Sequence, residues 1–375
     1  MDLDAIARRF PLVSRSRPPG RCLGTRIAEL REIMRESGAA DDHMRMARAG
    51  EVCNKAALIA SDCGAADLAR ALCWRQHDVF DTARPLPASA AKLALQPVLN
   101  IPRQLIRDGD GVTAYQMLDR LYRAARDQTD AELAGRWISL RDVTCAPDDH
   151  RRVCTLLWAA LLADGARALA SAGRWQDAAE HAAAHRGVGT RLLDGRQVTI
   201  LSLADRGEHD RAAAMIEDSV TAAPWEQAVA GLLRVYCRHG AGDDTDQDAV
   251  VMLDHTVGLV EQPEPSTAVF RTRVGMTALD LTDGSGSAQL PRLRAAIIAT
   301  ASTDAYAARE ALAHPELRPT LTTGQEQALA ALVEASGLGR GAIPQGPLDD
   351  LMASVTLAEN QLRTLLDRPH SPMHS

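Results

Sequence analysis

The sequence predicts an all-α fold in which antiparallel helix pairs stack into a solenoid. Two observations carry this prediction. The chain combines 46% hydrophobic with only 3% aromatic residues, so Ala, Leu and Val supply most of its apolar surface. Ala and Leu favour helices, whereas aromatic side chains favour strands. In addition, four segments repeat one pattern, in which a helix ends in Gly and an Ala opens the next helix five residues later.

Length and composition exclude several other classes of protein. A chain of 375 residues is long enough for two or three domains or for one elongated array. The scarcity of aromatic residues argues against a β-sandwich or barrel, and the high hydrophobic content excludes a disordered chain. Neither of the two lysines, Lys55 and Lys92, follows a glycine, so a phosphate-binding loop is absent. The segment GVGTRL at Gly187 lacks the third glycine of a dinucleotide fingerprint, and no GxSxG elbow occurs.

Cysteine usage and hydropathy indicate the compartment. The seven cysteines are scattered and none forms a C-x-x-C pair, which argues against zinc ribbons and thioredoxin-type sites. The N-terminus MDLDAIARRF has no apolar core of a signal peptide. The longest apolar run, residues 156–163, is far shorter than the roughly 20 residues needed to cross a bilayer. We therefore expect a cytoplasmic protein with reduced thiols and no membrane contact.

Residues 1–40 are predicted to form a basic, partly disordered N-terminal arm. Eight arginines and five acidic residues give this stretch a net charge of about +3. The segment SRSRPPGR interrupts any helix, and Ile27, Leu30, Ile33 and Met34 indicate a short helix after it. The arm either docks on the first helices, which we favour, or binds nucleic acid.

Helix pairs are predicted for residues 41–262. The repeated segments are SDCGAADLARAL, RDGDGVTAYQML, SAGRWQDAAEHA and DRGEHDRAAAMI, with glycines at 64, 109, 173 and 207 and alanines at 69, 114, 178 and 212. Glycine just past a helix end can adopt the left-handed conformation that satisfies the last carbonyl groups. The small alanine lets two helices cross closely, and the uncovered apolar face of each pair must stack on a neighbour.

These segments resemble tetratricopeptide (TPR) repeats, whose unit is 34 residues long. Gly173 and Gly207 are 34 residues apart, and the unit counted from Gly207 ends at Pro224, where TPR units carry a proline. A further unit follows, with a helix over residues 225–238 that ends at Gly240. The resemblance implies a concave groove lined by the first helix of each unit. Earlier units are more widely spaced, and only Trp175 occupies a usual aromatic packing position.

Residues 263–375 are predicted to form further helices without the repeat. DGSGS at 283–287 marks a flexible break. In the last segment Leu348, Leu351, Val355, Ala358, Leu362 and Leu365 alternate three and four positions apart. This is the apolar seam of a heptad repeat. The segment either caps an open apolar end of the solenoid, which we favour, or pairs with a partner helix.

Counting back from the glycines places basic and amide side chains on the groove wall that the TPR resemblance implies. The predicted peptide- or partner-binding residues are Asn54, Arg103, Arg107, Arg167, Gln197, Arg234 and Arg238. Because arginine forks bind carboxylates bidentately, the expected ligand is an acidic peptide or the carboxylates of a partner protein. The alternative is chance alignment, since nearly all basic residues here are arginine. Nucleic acid is disfavoured by the net charge of −7 and the lack of aromatic residues for stacking.

Other candidate sites are weaker, and no metal or cofactor is predicted. His181 and His185 lie at i and i+4 and could reach one metal, but no third ligand accompanies them, so we interpret them as surface histidines. Cys53, Cys63 and Cys73 are expected to pack between helices as small apolar side chains. The acidic insert GDDTDQD lacks the Gly and Glu of a calcium loop.

These observations predict a non-catalytic scaffold that binds a peptide or partner protein in an arginine-lined groove. The helical organisation and the segment HMRMARAGEVCNKAALIASDCGAADLARAL resemble companion subunits in actinobacterial lanthipeptide-type pathways, which assemble with modifying enzymes. That resemblance implies an enzyme complex and an acidic leader peptide as ligand. One alternative is a peptide-sensing TPR regulator without its own DNA-binding domain. Another is an enzyme with a Cys/His site between helices, because a fold does not exclude an activity.

Overall fold

The computed structural model of the chain describes residues 3–14, 17–36, 40–282 and 287–367. In these ranges the protein is all-α apart from one β-hairpin, as the composition predicts. The predicted DGSGS break falls almost entirely outside the described residues, as do parts of the predicted arm. The described residues divide into two compact units, each made of two separate stretches of chain.

Unit 1 combines Met1–Cys22 with Gly165–Ser336. Its helices are α1 (Leu3–Arg8), the end of α7 (Pro147–Ser171), α8 (Trp175–Ala184), α9 (Asp194–Asp205), α10 (His209–Glu217), α11 (Pro224–Ala241), α12 (Asp246–Val260), α13 (Ala268–Leu281), α14 (Leu290–Ala301), α15 (Ala305–Ala313) and α16 (Thr323–Ser336). Consecutive helices from α8 to α16 pack on one another, and α9, α11, α13 and α15 also contact each other in succession.

Unit 2 combines Leu23–Asp164 with Gly337–Ser375. Its elements are α2 (Leu23–Glu36), α3 (Asp42–Asp62), α4 (Ala66–Asp81), α5 (Ala88–Arg107), α6 (Gly111–Arg126), β1 (Asp130–Leu133), β2 (Arg136–Ser139), the start of α7, and α17 (Gln345–Leu366). Helices α3, α4, α5 and α6 pack in sequence, and α17 packs on α2, α3 and α4.

The turns between helix pairs follow the predicted pattern. All four predicted glycines have positive φ, between +72° at Gly173 and +89° at Gly109. The four alanines that follow them are completely buried, as close helix crossing requires. Asp110 caps α6 by accepting a hydrogen bond from the backbone N–H of Thr113. The glycine and alanine pattern was therefore a correct signal for helix–turn–helix structure.

The unit boundaries differ from the predicted domains, whose limits at residues 40 and 262 fall inside the compact units. The short helix predicted within the basic arm corresponds to α2, where Ile27, Leu30 and Met34 are buried. Helix α17 is separated from α2 by more than 300 residues and yet shares its core. Contacts this distant in sequence leave no periodic signal, and therefore the boundaries could not be read from composition.

The β-hairpin is an element that the helical pattern did not predict. Strands β1 and β2 are antiparallel and pair Ala131 with Ile138. The two turn residues, Ala134 and Gly135, both have positive φ, which is typical of a tight hairpin turn. Ala131, Leu133 and Ile138 are buried in the core of unit 2.

One helix, Pro147–Ser171, is long and apolar enough to cross a membrane, but 56% of its most apolar window is buried inside the protein. This is the arrangement of a core helix, because apolar side chains that pack inside the fold do not face lipid. The finding is consistent with a soluble protein.

Candidate functional site

A groove of about 410 Å³ lies in unit 2, where α3 and α5 contact each other. It brings together several polar side chains on a partly apolar floor. The lining residues are Ala47, Glu51, Asn54, Lys55, Ala57, Leu58, Leu93, Gln96, Asn100, Gln104 and Arg107. Two of the predicted binding residues, Asn54 and Arg107, are among them. We call this surface the α3/α5 groove.

A chain of hydrogen bonds fixes the side chains along the α3/α5 groove. Asn54 Nδ2 donates to Gln96 Oε1 at 3.1 Å, and Asn100 Nδ2 donates to Asn54 Oδ1 at 2.8 Å. Arg103 donates from Nη1 to Asn100 Oδ1 at 3.3 Å and from Nε to Asp164 Oδ2 at 2.8 Å. Because Asp164 is only 2% exposed, a buried carboxylate anchors one end of the row. The amides are thus held in one orientation before any ligand arrives.

The predicted residue Arg103 has a positioning role in this arrangement. Its guanidinium binds the buried Asp164 and orients Asn100, and it does not line the groove. Sequence counting placed it on the groove wall but could not show that an internal carboxylate binds it.

Gln104 is the most unusual residue of the α3/α5 groove. Gln104 is almost completely buried, with an exposure of only 3%. Nε2 donates to Cys73 Sγ at 3.5 Å, but Oε1 has no hydrogen-bond partner. Leaving a buried polar atom unpaired costs about 1–3 kcal/mol. Protein atoms cover this oxygen, so a ligand in the groove does not reach it unless the Gln104 side chain moves.

Pro97 interrupts the backbone hydrogen bonds of α5 near the α3/α5 groove. Proline lacks a backbone N–H, so Pro97 inside α5 cannot donate the helical hydrogen bond to the carbonyl of Leu93. Leu93 lines the groove. The helix therefore has a break in its hydrogen-bond ladder beside the row of amides.

The α3/α5 groove carries three charged side chains. Arg107, in the last turn of α5, donates to Ser61 Oγ at 2.7 Å. Lys55 pairs with Glu51 at 2.9 Å on α3. Two cations and one carboxylate among the lining residues give a net charge of about +1, in a protein whose overall charge is −7.

Arg167 lies in unit 1 and binds groups of its own chain. Its guanidinium forms two hydrogen bonds of 3.0 Å with Asp194, and it also donates to the carbonyl of Val13. The side chains of Arg167 and Asp194 are 20% and 13% exposed. Arg167 therefore already binds a carboxylate and a peptide carbonyl.

Gln197 does not lie on an accessible groove wall, contrary to the prediction. It is 0% exposed within α9 and donates from Nε2 to the carbonyl of Leu192 at 2.7 Å. Helix α9 is buried around most of its circumference, so a count of positions from Gly207 cannot tell an open face from a covered one.

Arg234 and Arg238 line a second groove of about 440 Å³, in unit 1, where α10 and α11 pack together. Arg234 binds Glu217 at 2.7 Å, and Arg238 pairs with Asp248. Asp210 and Asp243 also line this groove. The four carboxylates of this groove outnumber its two arginines, so it is less suited to an acidic ligand than the α3/α5 groove.

The helix that carries these arginines ends later than predicted. Helix α11 continues to Ala241, and Gly242 rather than Gly240 has the left-handed conformation, with φ +77°. Gly240 packs so closely on His209 that a Cβ there would lie 2.9 Å from the ring. The predicted register of Arg234 and Arg238 was therefore wrong by two residues.

The buried cysteines are poor nucleophiles. Burial raises the pKa of Cys53, Cys73 and Cys237 to about 12, so each thiol keeps its proton at neutral pH. Cys154 Sγ lies 3.4 Å from His150 Nε2 on α7, but burial raises the pKa of this thiol too. These environments favour packing over catalysis.

The predicted surface histidines differ from each other. The rings of His181 and His185 are 4.4 Å apart, as their spacing predicts, but His181 is buried with only 4% exposure. Among the described residues no group of three or more His, Cys, Asp or Glu side chains is placed to hold a metal ion.

Sequence reasoning missed Gln96, Asn100 and Gln104. They are spaced four residues apart on α5, which places them along one helix face and could have revealed them. Comparison of the chain with protein-family models, curated proteins and solved structures found no match. The case for a function therefore depends on the geometry of the site itself.

Proposed function

We propose that the protein is a non-catalytic scaffold of TPR-like helix pairs, and that its α3/α5 groove binds a carboxylate-bearing peptide or partner segment. The observation that carries this proposal is the fixed row of the Asn54, Gln96 and Asn100 amides, which line the groove together with Arg107. The succession of contacts among α9, α11, α13 and α15, together with the contact of α3 with α5, supports the stacking of helix pairs.

The chemistry of the α3/α5 groove suits a peptide backbone. Side-chain amides offer both a donor and an acceptor, as a peptide group requires. The fork of Arg107 would bind a carboxylate. Leu58 and Leu93 provide apolar surface for a neighbouring side chain. An acidic leader peptide, which the resemblance to lanthipeptide companion subunits implies, belongs to this ligand class.

A binding experiment tests the proposal on the full chain. The probe is a fluorescent peptide in which Glu alternates with Leu and Ser, and its matched control carries Gln in place of Glu. We expect the acidic peptide to bind more tightly, with an affinity that falls as salt is added. Arg107→Gln should weaken binding by about tenfold or more, because a charge-assisted hydrogen bond contributes about 1.5–3 kcal/mol.

Arg234→Gln in the second groove is the matched control, since it removes an arginine that binds Glu217 on the surface. Arg103 and Arg167 are unsuitable for this test because both bind carboxylates of their own chain. Equal binding of the acidic and Gln peptides, or equal affinity of the Arg107→Gln and Arg234→Gln variants, would refute the α3/α5 groove as the site.

A further inference from the structure

Residues 9–14 and 17–20 form a non-helical segment that docks on unit 1, to which they belong. We call it the N-terminal segment. Unit 1 holds it through its backbone at three positions, Val13, Arg17 and Gly20, and through side chains at Arg9 and Arg17. These contacts come from helices far away in sequence, as in a receptor that holds a peptide.

The first backbone contact is made by an ion pair. Val13 N–H donates to Asp194 Oδ1 at 2.9 Å, and the Val13 carbonyl accepts from Arg167. Arg167 and Asp194 are in turn joined by two hydrogen bonds of 3.0 Å. One pair of oppositely charged side chains thus recognises both polar groups of a single residue. Such recognition is independent of the side chain at position 13.

The backbone contact at position 20 selects glycine. Gly20 N–H donates to Asp304 Oδ2 at 2.7 Å, and the Gly20 carbonyl accepts from Ala305 N–H at 2.9 Å. A Cβ at this position would lie 2.8 Å from Tyr306 Cδ2 and 2.9 Å from Ala305 N. Because the backbone of α15 cannot move aside cheaply, any larger residue is excluded. Asp304 is only 2% exposed, so this is a built site.

The side chains of the segment add a preference for positive charge. Arg9 pairs with Asp280 at 3.1 Å, and the guanidinium of Arg17 lies 3.5 Å from the centre of the Tyr306 ring. Cations over aromatic faces are attracted by the negative face of the ring. Of the three carboxylates that contact the segment, Asp280 pairs with Arg9, whereas Asp194 and Asp304 accept backbone N–H groups. The selectivity of unit 1 is thus opposite in charge to that of the α3/α5 groove.

The docked segment also contains a strained residue. Leu12, between the Arg9 and Val13 contacts, has φ +50°, a region that residues with a Cβ rarely adopt. Phe10 and Leu12 are each 6% exposed, so the strain accompanies apolar burial. Strained backbone at a binding position lowers the cost of releasing the segment.

From these contacts we infer that unit 1 is a receptor for arginine-bearing peptides with a glycine at the position of Gly20, and that the N-terminal segment is its resident ligand. A partner peptide of the same pattern, with Arg three residues before Gly, would replace the resident segment. The inference does not rest on the proposed function, because it concerns another unit and a ligand of opposite charge.

The test uses a fluorescent peptide with the sequence of residues 5–22 and the full-length chain. A tethered segment has an effective concentration on the order of millimolar, so the wild-type chain should bind the free peptide weakly. The Gly20→Val chain, whose own segment cannot dock, should bind it at least about tenfold more tightly. Two control peptides carry Gly20→Val or Arg17→Gln, and both should bind weakly to the Gly20→Val chain. In these controls only the peptide differs, and the protein stays the same.

Hydrogen exchange of the wild-type chain gives an independent readout if the Gly20→Val chain does not fold. We expect the amides of Val13 and Gly20 to exchange faster than those of Ile200 and Leu201 in α9, because the segment opens without unfolding unit 1. A folded Gly20→Val chain that fails to bind the peptide, equal binding of the matched peptides, or protection of Val13 and Gly20 equal to that of α9 would overturn the inference. Since the acidic probe and Arg107 play no part here, failure of this test is distinct from failure of the proposed function.

Discussion

At the scale of single residues, one buried ion pair joins α2 to the end of α3. Arg26 Nη2 lies 2.6 Å from Asp62 Oδ2, and the two side chains are 7% and 4% exposed. Arg26 belongs to the predicted basic arm, which was expected to dock on the first helices. A buried charge is tolerated only with a close partner of opposite sign, so each residue requires the other.

Replacing Arg26 alone should therefore be costly. We expect Arg26→Met to lower the free energy of unfolding by about 3–5 kcal/mol, because the buried carboxylate of Asp62 loses its cation. The double variant Arg26→Met, Asp62→Leu should recover most of that loss, since it buries no unbalanced charge. Urea unfolding of Arg26→Met, Asp62→Leu and the double variant checks this. Additive losses would show that the two residues act independently.

The buried thiols give a prediction about pH. Their ordinary pKa is 9.0, and burial raises it to about 12 in Cys53, Cys73 and Cys237. Between these two values the unfolded chain releases thiol protons that the folded chain retains. The free energy of unfolding should therefore fall as the pH rises from 9.0 to about 12. Urea midpoints across this range should change less in a Cys73→Ala chain, and an identical pH dependence would contradict the assignment.

Thiol labelling at neutral pH offers a second check on these environments. Cys22 and Cys145 are exposed, whereas Cys53, Cys63, Cys73 and Cys237 are buried. The reagent is an aromatic disulfide that releases a coloured thiolate when it reacts with a thiol. We expect it to react rapidly with Cys22 and Cys145, and with the buried thiols only after the chain has unfolded. Rapid reaction of Cys53 or Cys73 in the folded chain would revive the hypothesis of a catalytic cysteine.

At the scale of elements, α17 fills its apolar seam with the chain's own core. Leu351, Val355, Ala358 and Leu362 are buried against unit 2, where α17 contacts α2 and α3. Leu357, on the opposite face of the same helix, is 57% exposed. The seam of α17 is therefore covered by helices of its own chain, and the interpretation of α17 as a cap stays a prediction.

Two matched substitutions in α17 test that interpretation. Leu362→Asp should destabilise the isolated protein by more than about 3 kcal/mol, because it places a charge in a buried apolar site. Leu357→Asp should change stability by less than about 0.5 kcal/mol, since the side chain faces solvent. Thermal unfolding of both variants is the measurement. If the two variants were equally stable, the result would instead favour the interpretation that α17 pairs with a helix of a partner protein.

Two of the interhelical turns differ in how tightly their glycines are enclosed. Gly64 and Gly109 have φ of +81° and +89°. A Cβ on Gly64 would lie 3.2 Å from the backbone nitrogen of Gly341, whereas a Cβ on Gly109 would meet nothing within 4 Å. Gly109→Ala should cost about 1 kcal/mol from conformation alone, and Gly64→Ala should cost clearly more. Urea unfolding is the measurement. Equal losses of unfolding free energy in the two variants would contradict this prediction.

These turns also show what the sequence could reveal. Glycine at a helix end followed by a buried alanine is a local signal, so the helix pairs could be predicted. Gly240 and Gly242 flank Ala241, and which of them ends α11 depends on the packing of Gly240 against His209. No local sequence pattern encodes that packing. In the same way, the amides of α5 share a recognisable spacing, but the burial of Gln104 depends on tertiary structure.

At the scale of the whole molecule, the chain packs closely with small side chains. Tyr306 and Phe80 are the only aromatic residues among the largest fully buried side chains of the described part, and the others are Leu and Ile. Helices α13 and α14 approach so closely that a Cβ on Gly275 would lie 2.7 Å from Ile297 Cγ1. Cores of small residues bury less apolar area per helix, so each unit depends on all of its helices.

This dependence, together with the discontinuous units, predicts how the chain can be divided. A fragment of residues 23–164 lacks α17, so the apolar faces of α2 and α3 that α17 covers would be exposed to water. We expect this fragment to bind hydrophobic dyes and to unfold without cooperativity. Co-expression with residues 337–367 should restore a soluble complex of the two pieces with a sharp thermal transition. If residues 23–164 alone unfold cooperatively and bind no dye, α17 is an accessory to unit 2 and not part of its core.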